Sequence, residues 1–185
     1  MRLEFMERQQ KLTICRGGRQ ALVLLNENEE KRERVSPDDE KTEVTVFTYD
    51  ATWLDLTKLH DPVAAAREEV LKHIEAYDTS SAVNGFVLNG AEVWLDKSTR
   101  VGLMNSTTIA KAMGQATTTL WLGDTKLEVG CDMAIQLLSA LEMYALECFN
   151  VTAAHKKAVA ELTDIVEVLS YDYTKGYPEK LMMNV

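Results

Sequence analysis

The side chains able to do acid–base, nucleophilic or metal chemistry are few in this sequence and scattered. Histidine is the side chain best suited to proton transfer near neutral pH. The three present, His60, His73 and His155, share no motif. Cys148 and His155 stand seven residues apart across a predicted helix break, and a zinc site needs two further ligands that no spacing marks. Glu142 and Glu147 lie five apart, on different faces of a helix, so they do not pair as acid and base. Gly-x-Ser-x-Gly is missing, and with it the nucleophile elbow of an α/β-hydrolase. The glycines at 85, 90, 102, 114, 123 and 130 form neither a phosphate loop nor a dinucleotide fingerprint. Thr117-Thr118-Thr119 reads as a strand rather than a catalytic cluster. No catalytic residue, metal ligand or cofactor contact is assigned. Carboxylates distant in sequence that converge in a pocket are beyond the reach of such spacing.

The aromatic residues offer surface rather than reactivity. Trp53, Trp94 and Trp121 all fall in strand-like segments. The first expectation is core packing at a sheet–helix interface, each indole N–H finding a backbone acceptor; the alternative is a ligand platform. Tyr171, Tyr173 and Tyr177 fall in a terminal loop punctuated by Gly176 and Pro178. Tyrosine combines rigid area with a polar tip and is enriched at interfaces, although packing of this tail on its own domain fits equally. These six residues are the candidate interaction surface.

The composition narrows the partners. The 185 residues carry a formal charge of −9, with 46% hydrophobic residues. Net acidity disfavours nucleic acid, whose binding rests on Lys and Arg displacing counterions, and disfavours anionic lipid. No apolar run nears the roughly 18–20 residues that span a bilayer. The first residues, Met1-Arg2-Leu3-Glu4-Phe5, lack the apolar stretch of an export signal. Three widely spaced cysteines, Cys15, Cys131 and Cys148, predict reduced, mostly buried thiols in an intracellularly assembled protein.

The elements that position these residues divide near Asp61-Pro62 into an α+β arrangement. Residues 1–61 predict a small antiparallel β-meander, with Leu3/Phe5 and Leu12/Ile14 alternating with polar neighbours and Gly17-Gly18 at a tight turn. Residues 26–42, rich in mixed charge, predict a mobile hairpin tip or loop, because they cannot bury enough apolar area to offset ordering. Residues 62–185 predict a mainly helical domain with two β-hairpins. Val63, Ala66, Val70, Ile74 and Tyr77 form one helical stripe after an Asp61 cap and Pro62. Asn89-Gly90 marks one hairpin and Gly123-Asp124 the other. Between them, Ser98 or Thr99 caps a helix whose apolar set is Val101, Met104, Ile109 and Ala112. Asp132 caps a longer helix to about Phe149; Asn150-Val151-Thr152 breaks it, and Thr152 caps the next. Thr163-Asp164 opens a short last helix. The charge divides as −3 over residues 1–61 and −6 over 62–185.

Several blocks together are distinctive: Val93-Trp94-Leu95-Asp96-Lys97, Thr99-Arg100-Val101-Gly102-Leu103, Thr119-Leu120-Trp121-Leu122, Leu138 to Ala145, Val151-Thr152-Ala153-Ala154-His155-Lys156 and Tyr171 to Pro178. In this order they resemble an uncharacterised phage and prophage domain, common in elements of gut Bacteroides, over about residues 65–181. The resemblance carries no established activity. It implies a virion accessory or assembly protein, since such domains are encoded near tail and tail-fibre genes. The implied partners are other tail or virion proteins and further copies of the chain. The implied location is the host bacterial cytoplasm during assembly, or the virion. The expectation is therefore a non-enzymatic phage structural protein. The alternatives are a small-molecule or glycan-binding module using the hairpin tryptophans, and an enzyme of unrecognised type. His155, in a Thr-x-x-His-Lys segment, is expected to serve a helix start, and Arg100 to fork onto Asp172.

Overall fold

Alternating apolar residues at the start of the chain become strands, and the 3.6-period stripes further on become helices. The computed structural model describes residues 1–35 and 41–185. Its order is β1 (Arg2–Phe5), β2 (Leu12–Ile14), β3 (Gln20–Val35), β4 (Lys41–Asp55), α1 (Pro62–Asp78), α2 (Ser81–Asn84), β5 (Gly85–Leu88) and β6 (Ala91–Trp94). Then follow α3 (Lys97–Ala112), β7 (Thr117–Leu122), β8 (Thr125–Gly130), α4 (Cys131–Glu161), α5 (Ile165–Leu169) and β9 (Met182–Met183). The fold is α+β. It divides into one unit of Met1–Leu71 with Ala158–Tyr171, and a second of Lys72–Lys157 with Asp172–Val185. Among the described residues, no helix is long and apolar enough to cross a membrane.

The first unit holds a four-stranded antiparallel sheet in the order β1-β4-β3-β2. Strands β2, β3 and β4 follow one another as in a meander, and β1 departs from it by adding beside β4. The first strand pairs with the fourth, Phe5 opposite Phe47, while β2 pairs with β3, Leu12 opposite Val23. Leu24, Tyr49 and Ala51 form a buried cluster, with Leu3, Phe5, Leu22 and Phe47 packed against it. The segment expected to be a hairpin tip or loop forms the arms of the β3–β4 hairpin. Residues 26–35 and 41–42 are strand, paired in register from Asn28–Thr48 to Val35–Lys41; residues 36–40 lie outside the described residues. A ladder needs backbone donors and acceptors rather than apolar side chains. Cross-strand charge adds to it here, with Lys31 Nζ 2.9 Å from Glu43. A bulge between Leu25 and Asn28, with Asn26 at a φ of +50°, realigns the strands.

In the same unit Asp61 caps α1 as expected, accepting from Val63 N at 2.9 Å. Asp164 caps α5, accepting from Val166 N at 2.8 Å and Glu167 N at 3.0 Å. Arg67 donates from Nε to the Leu162 carbonyl at 2.9 Å, satisfying an acceptor just beyond the end of α4.

The second unit packs two hairpins and helical segments around one core. Phe86, Leu88, Val93, Leu120, Leu122, Leu138, Leu141 and Tyr144 are all buried in it. The β5–β6 turn carries Asn89 and Gly90 at φ of +49° and +84°, as a type I′ turn requires. The tail adds β9 parallel to β5, Val87 opposite Met182, a pairing no local pattern announced. Gly85 is held to glycine by space, because a Cβ there would lie 2.2 Å from the Ser81 carbonyl oxygen.

Four helix expectations change, the first being that Asp132 lies within the first turn of α4 and does not cap it. The helix α4 runs unbroken through Asn150-Val151-Thr152; Thr152 is buried inside it rather than capping a new start. Asp96, not Ser98 or Thr99, is the cap of α3 and accepts from Thr99 N at 2.9 Å. Val101 and Ile109, from the expected apolar set, are exposed, leaving Leu103, Met104 and Thr107 to face inward.

Candidate functional site

The cap of α3 sets up the most developed site, in the second unit. Asp96 takes hydrogen bonds from Thr99 N, from Thr99 Oγ1 at 2.6 Å and from the Ser98 hydroxyl. These donors hold its carboxyl well below the usual carboxylate range. One turn on, Arg100 is only 7% exposed. Its Nη1 donates to the Leu95 carbonyl at 2.8 Å and its Nε to Glu142 Oε1 at 2.9 Å. The resulting pair links α3 to α4 and keeps the buried charge compensated. Nη2 has no hydrogen-bond partner among the described residues, nor is it sealed from solvent.

A cavity of about 570 Å³ opens here, its walls including Asp78, Trp94, Arg100, Glu142, Leu146 and Phe149. Leu146 and Phe149 are exposed on α4, as is Met143. The cavity therefore combines a buried guanidinium with an open apolar wall, a combination suited to binding. No histidine or cysteine lines it. Among the described residues, no group of three or more His, Cys, Asp or Glu side chains is placed to hold a metal ion.

Asp78 connects the cavity to a polar relay. Thr152 Oγ1 donates to Asp78 Oδ1 at 2.6 Å and lies 3.0 Å from the Tyr177 hydroxyl. A threonine hydroxyl has one proton. That proton goes to Asp78, so Tyr177 donates to Thr152. Burial pushes the Tyr177 phenol up, and it pushes the neighbouring Cys148 thiol up as well.

The tryptophans are not core. Trp53, Trp94 and Trp121 are 50%, 41% and 58% exposed. Strand alternation explains the two hairpin residues: Val93 and Leu95 point inward and Trp94 outward, and Leu120 and Leu122 inward with Trp121 outward. That alternation was present in the sequence and outweighs the average burial of tryptophan. Only Trp94 lines the cavity.

The tyrosines are half-buried. Tyr173 and Tyr177 pack edge-on against Tyr77, with centroids 5.7 Å and 5.6 Å away. They fasten the tail within the second unit, while Tyr171 belongs to the first. His155 is mid-helix, with Nε2 2.9 Å from the Lys175 carbonyl oxygen; it does not serve a helix start. Arg100 does not reach Asp172, which pairs with Lys175 at 2.8 Å. His73 is exposed. His60 lines a second cavity of about 660 Å³ in the first unit, with Ile14, Arg19 and Leu56. The Arg100–Glu142 pair was not legible in the sequence, because 42 residues separate its members.

Fold and site together define an α+β protein whose second unit carries an open, aromatic-walled cavity over a part-buried ion pair. The chain belongs to the family described as Domain of unknown function (DUF4376), which matches residues 65–175. The match contains every residue lining that cavity and leaves out the four strands of the N-terminal sheet. No curated protein and no solved structure matches the chain.

Proposed function

We propose that the chain is a non-enzymatic structural or assembly component of a phage or prophage, a tail or tail-fibre accessory that works through protein–protein contacts. The observation that carries this reading is the outward placement of Trp53, Trp94 and Trp121. Tryptophan is enriched at interface cores and among the residues that dominate binding energy. The resemblance of the cavity-bearing region to phage domains encoded near tail genes supports the same reading. On this view the chain is made in the host cytoplasm and joins tail or virion proteins, or further copies of itself. Size-exclusion chromatography with light scattering, alone and with the products of neighbouring genes, tests it. Self-association or a defined complex with one of those products is expected. A strict monomer that binds none of them overturns the proposal.

A second reading, a small-molecule or glycan-binding module, is favoured by one observation, that Trp94 lines the cavity. It predicts quenching of tryptophan fluorescence by a glycan, lost in Trp94→Ala. A glycan library that leaves the emission unchanged removes it.

A further inference from the structure

The cavity of the second unit has cationic donors that no described protein group engages. Its ionisable walls are Asp78, Asp96, Glu142, Lys97 and Arg100. Each carboxylate already accepts from the protein: Asp78 from Thr152, Asp96 from Ser98 and Thr99, Glu142 from Arg100. The cations are less engaged. Arg100 Nη2 and Lys97 Nζ have no partner among the described residues. Nη2 is open to solvent, so an incoming oxygen acceptor displaces water there, and a carboxylate does so with charge assistance.

The surroundings specify what carries that carboxylate. Trp94, Leu146 and Phe149 form an apolar wall at the opening, and exposed apolar surface continues along α4 to Met143. Surface that extends past the cavity suits a polypeptide better than a small molecule confined within it. A buried Arg beside aromatic anchors also has the make-up of an interface hot spot.

We infer that this cavity is the docking pocket for a partner polypeptide that presents an aspartate or glutamate side chain beside a large apolar residue. The carboxylate takes the free Nη2 of Arg100, with Lys97 at the rim, and the apolar neighbour covers Trp94, Leu146 and Phe149. The inference deepens the contact-protein reading and rests on it.

The test uses the full chain carrying Trp53→Phe and Trp121→Phe, so that Trp94 alone reports by tryptophan emission. The probes are the capped peptides acetyl-Phe-Asp-Leu-amide and its Asn and Lys counterparts. Binding of the Asp peptide is expected to be about ten-fold or more tighter than that of the Asn peptide. Arg100→Gln should bring that ratio to about one. Arg100 also holds the Leu95 carbonyl, so circular dichroism must first show that this variant folds. The exposed Phe149→Ser keeps Arg100 and should weaken the Asp and Asn peptides alike. A preference for the Lys peptide, equal Asp and Asn affinities, unaltered binding in Phe149→Ser, or no emission change with any peptide overturns the inference. So does 3-phenylpropionate binding as tightly as the Asp peptide, which would make the ligand a small carboxylate. A flat titration with self-association intact removes only the pocket. A strict monomer without neighbouring-gene partners removes the contact reading itself.

Discussion

The two units solve the problem of stability differently. In the second, side chains from two hairpins and a long helix converge on one apolar cluster that includes Phe86, Leu120, Leu138 and Leu141. In the first, one apolar cluster lies along part of the β3–β4 ladder, around Leu24, Tyr49 and Ala51, and Val70, Val159, Ile165 and Val168 are buried on its helical segments. The distal ladder continues on backbone pairing and exposed ion pairs, such as Lys31–Glu43 and Arg32–Glu30. Apolar burial contributes roughly 25 cal/mol per Å², whereas exposed pairs in water contribute little. Order in the distal arm therefore comes from a register set where the strands are packed and carried outward by the ladder.

The sharpest way to break this comparison is to cut into the packed side. Phe86→Ala removes a 1%-exposed ring and should cost about 3–5 kcal/mol, read by urea denaturation. A smaller loss would mean that the core repacks readily and the contrast is weaker than drawn. Next comes the buried polar relay. Thr152→Val keeps the volume but strips the hydroxyl between Asp78 and Tyr177, for an expected cost of about 1–3 kcal/mol. Thr152→Ser, which keeps the hydroxyl, should recover the part due to hydrogen bonding.

A pH experiment sharpens the same point. Burial pushes the Tyr144 phenol up to about 12, with its hydroxyl donating to the Val83 carbonyl at 2.8 Å. The unfolded phenol ionises near its ordinary value of about 10. Between these values the native state retains a proton that the unfolded state has released. Tyr144 thus contributes its full stabilisation below pH 10 and loses it as the pH rises toward 12. Equilibrium unfolding across that range should show a smaller loss in Tyr144→Phe than in the parent, the remainder coming from Tyr177 and Cys148. The smallest effect is expected in the arm. Lys31→Ala removes the ion pair with Glu43, whose side chains are 70% and 59% exposed, and should change stability by about 0–1 kcal/mol. A loss comparable to that of Phe86→Ala would show that the ladder depends on its charges.

Local signals in the sequence were read well where they act over a few residues. The turn at Asn89-Gly90, the stripe Ala66, Val70 and Ile74, and the caps Asp61 and Asp164 each depend on neighbours within one or two turns. Misreadings arose where two local rules competed. Residues 26–35, low in apolar content, belong to the expected hairpin tip or loop, but a strand extended from a packed base needs only pairing. Thr152 resembles a cap because threonine often caps helices; a buried acceptor, Asp78, offers its hydroxyl a better partner within the helix. At the hairpins, the average burial of tryptophan was weighed above the period-two alternation that turned Trp94 and Trp121 outward. Of the candidate site only Trp94 and Arg100 stand out in the sequence, Arg100 with Asp172 rather than Glu142 as its expected partner.

The sequence by itself determined the α+β class, the acidic surface, the helix stripes and the hairpin turns, because each follows from short-range backbone preference or composition. Only the tertiary structure decided the pairing of β1 with β4, the addition of β9 to β5, the Arg100–Glu142 pair and the Tyr177–Thr152–Asp78 relay. These join residues from 25 to 74 positions apart or come from distant strands. Which of many compatible partners meet is settled when the whole core packs at once, and no local pattern encodes that choice.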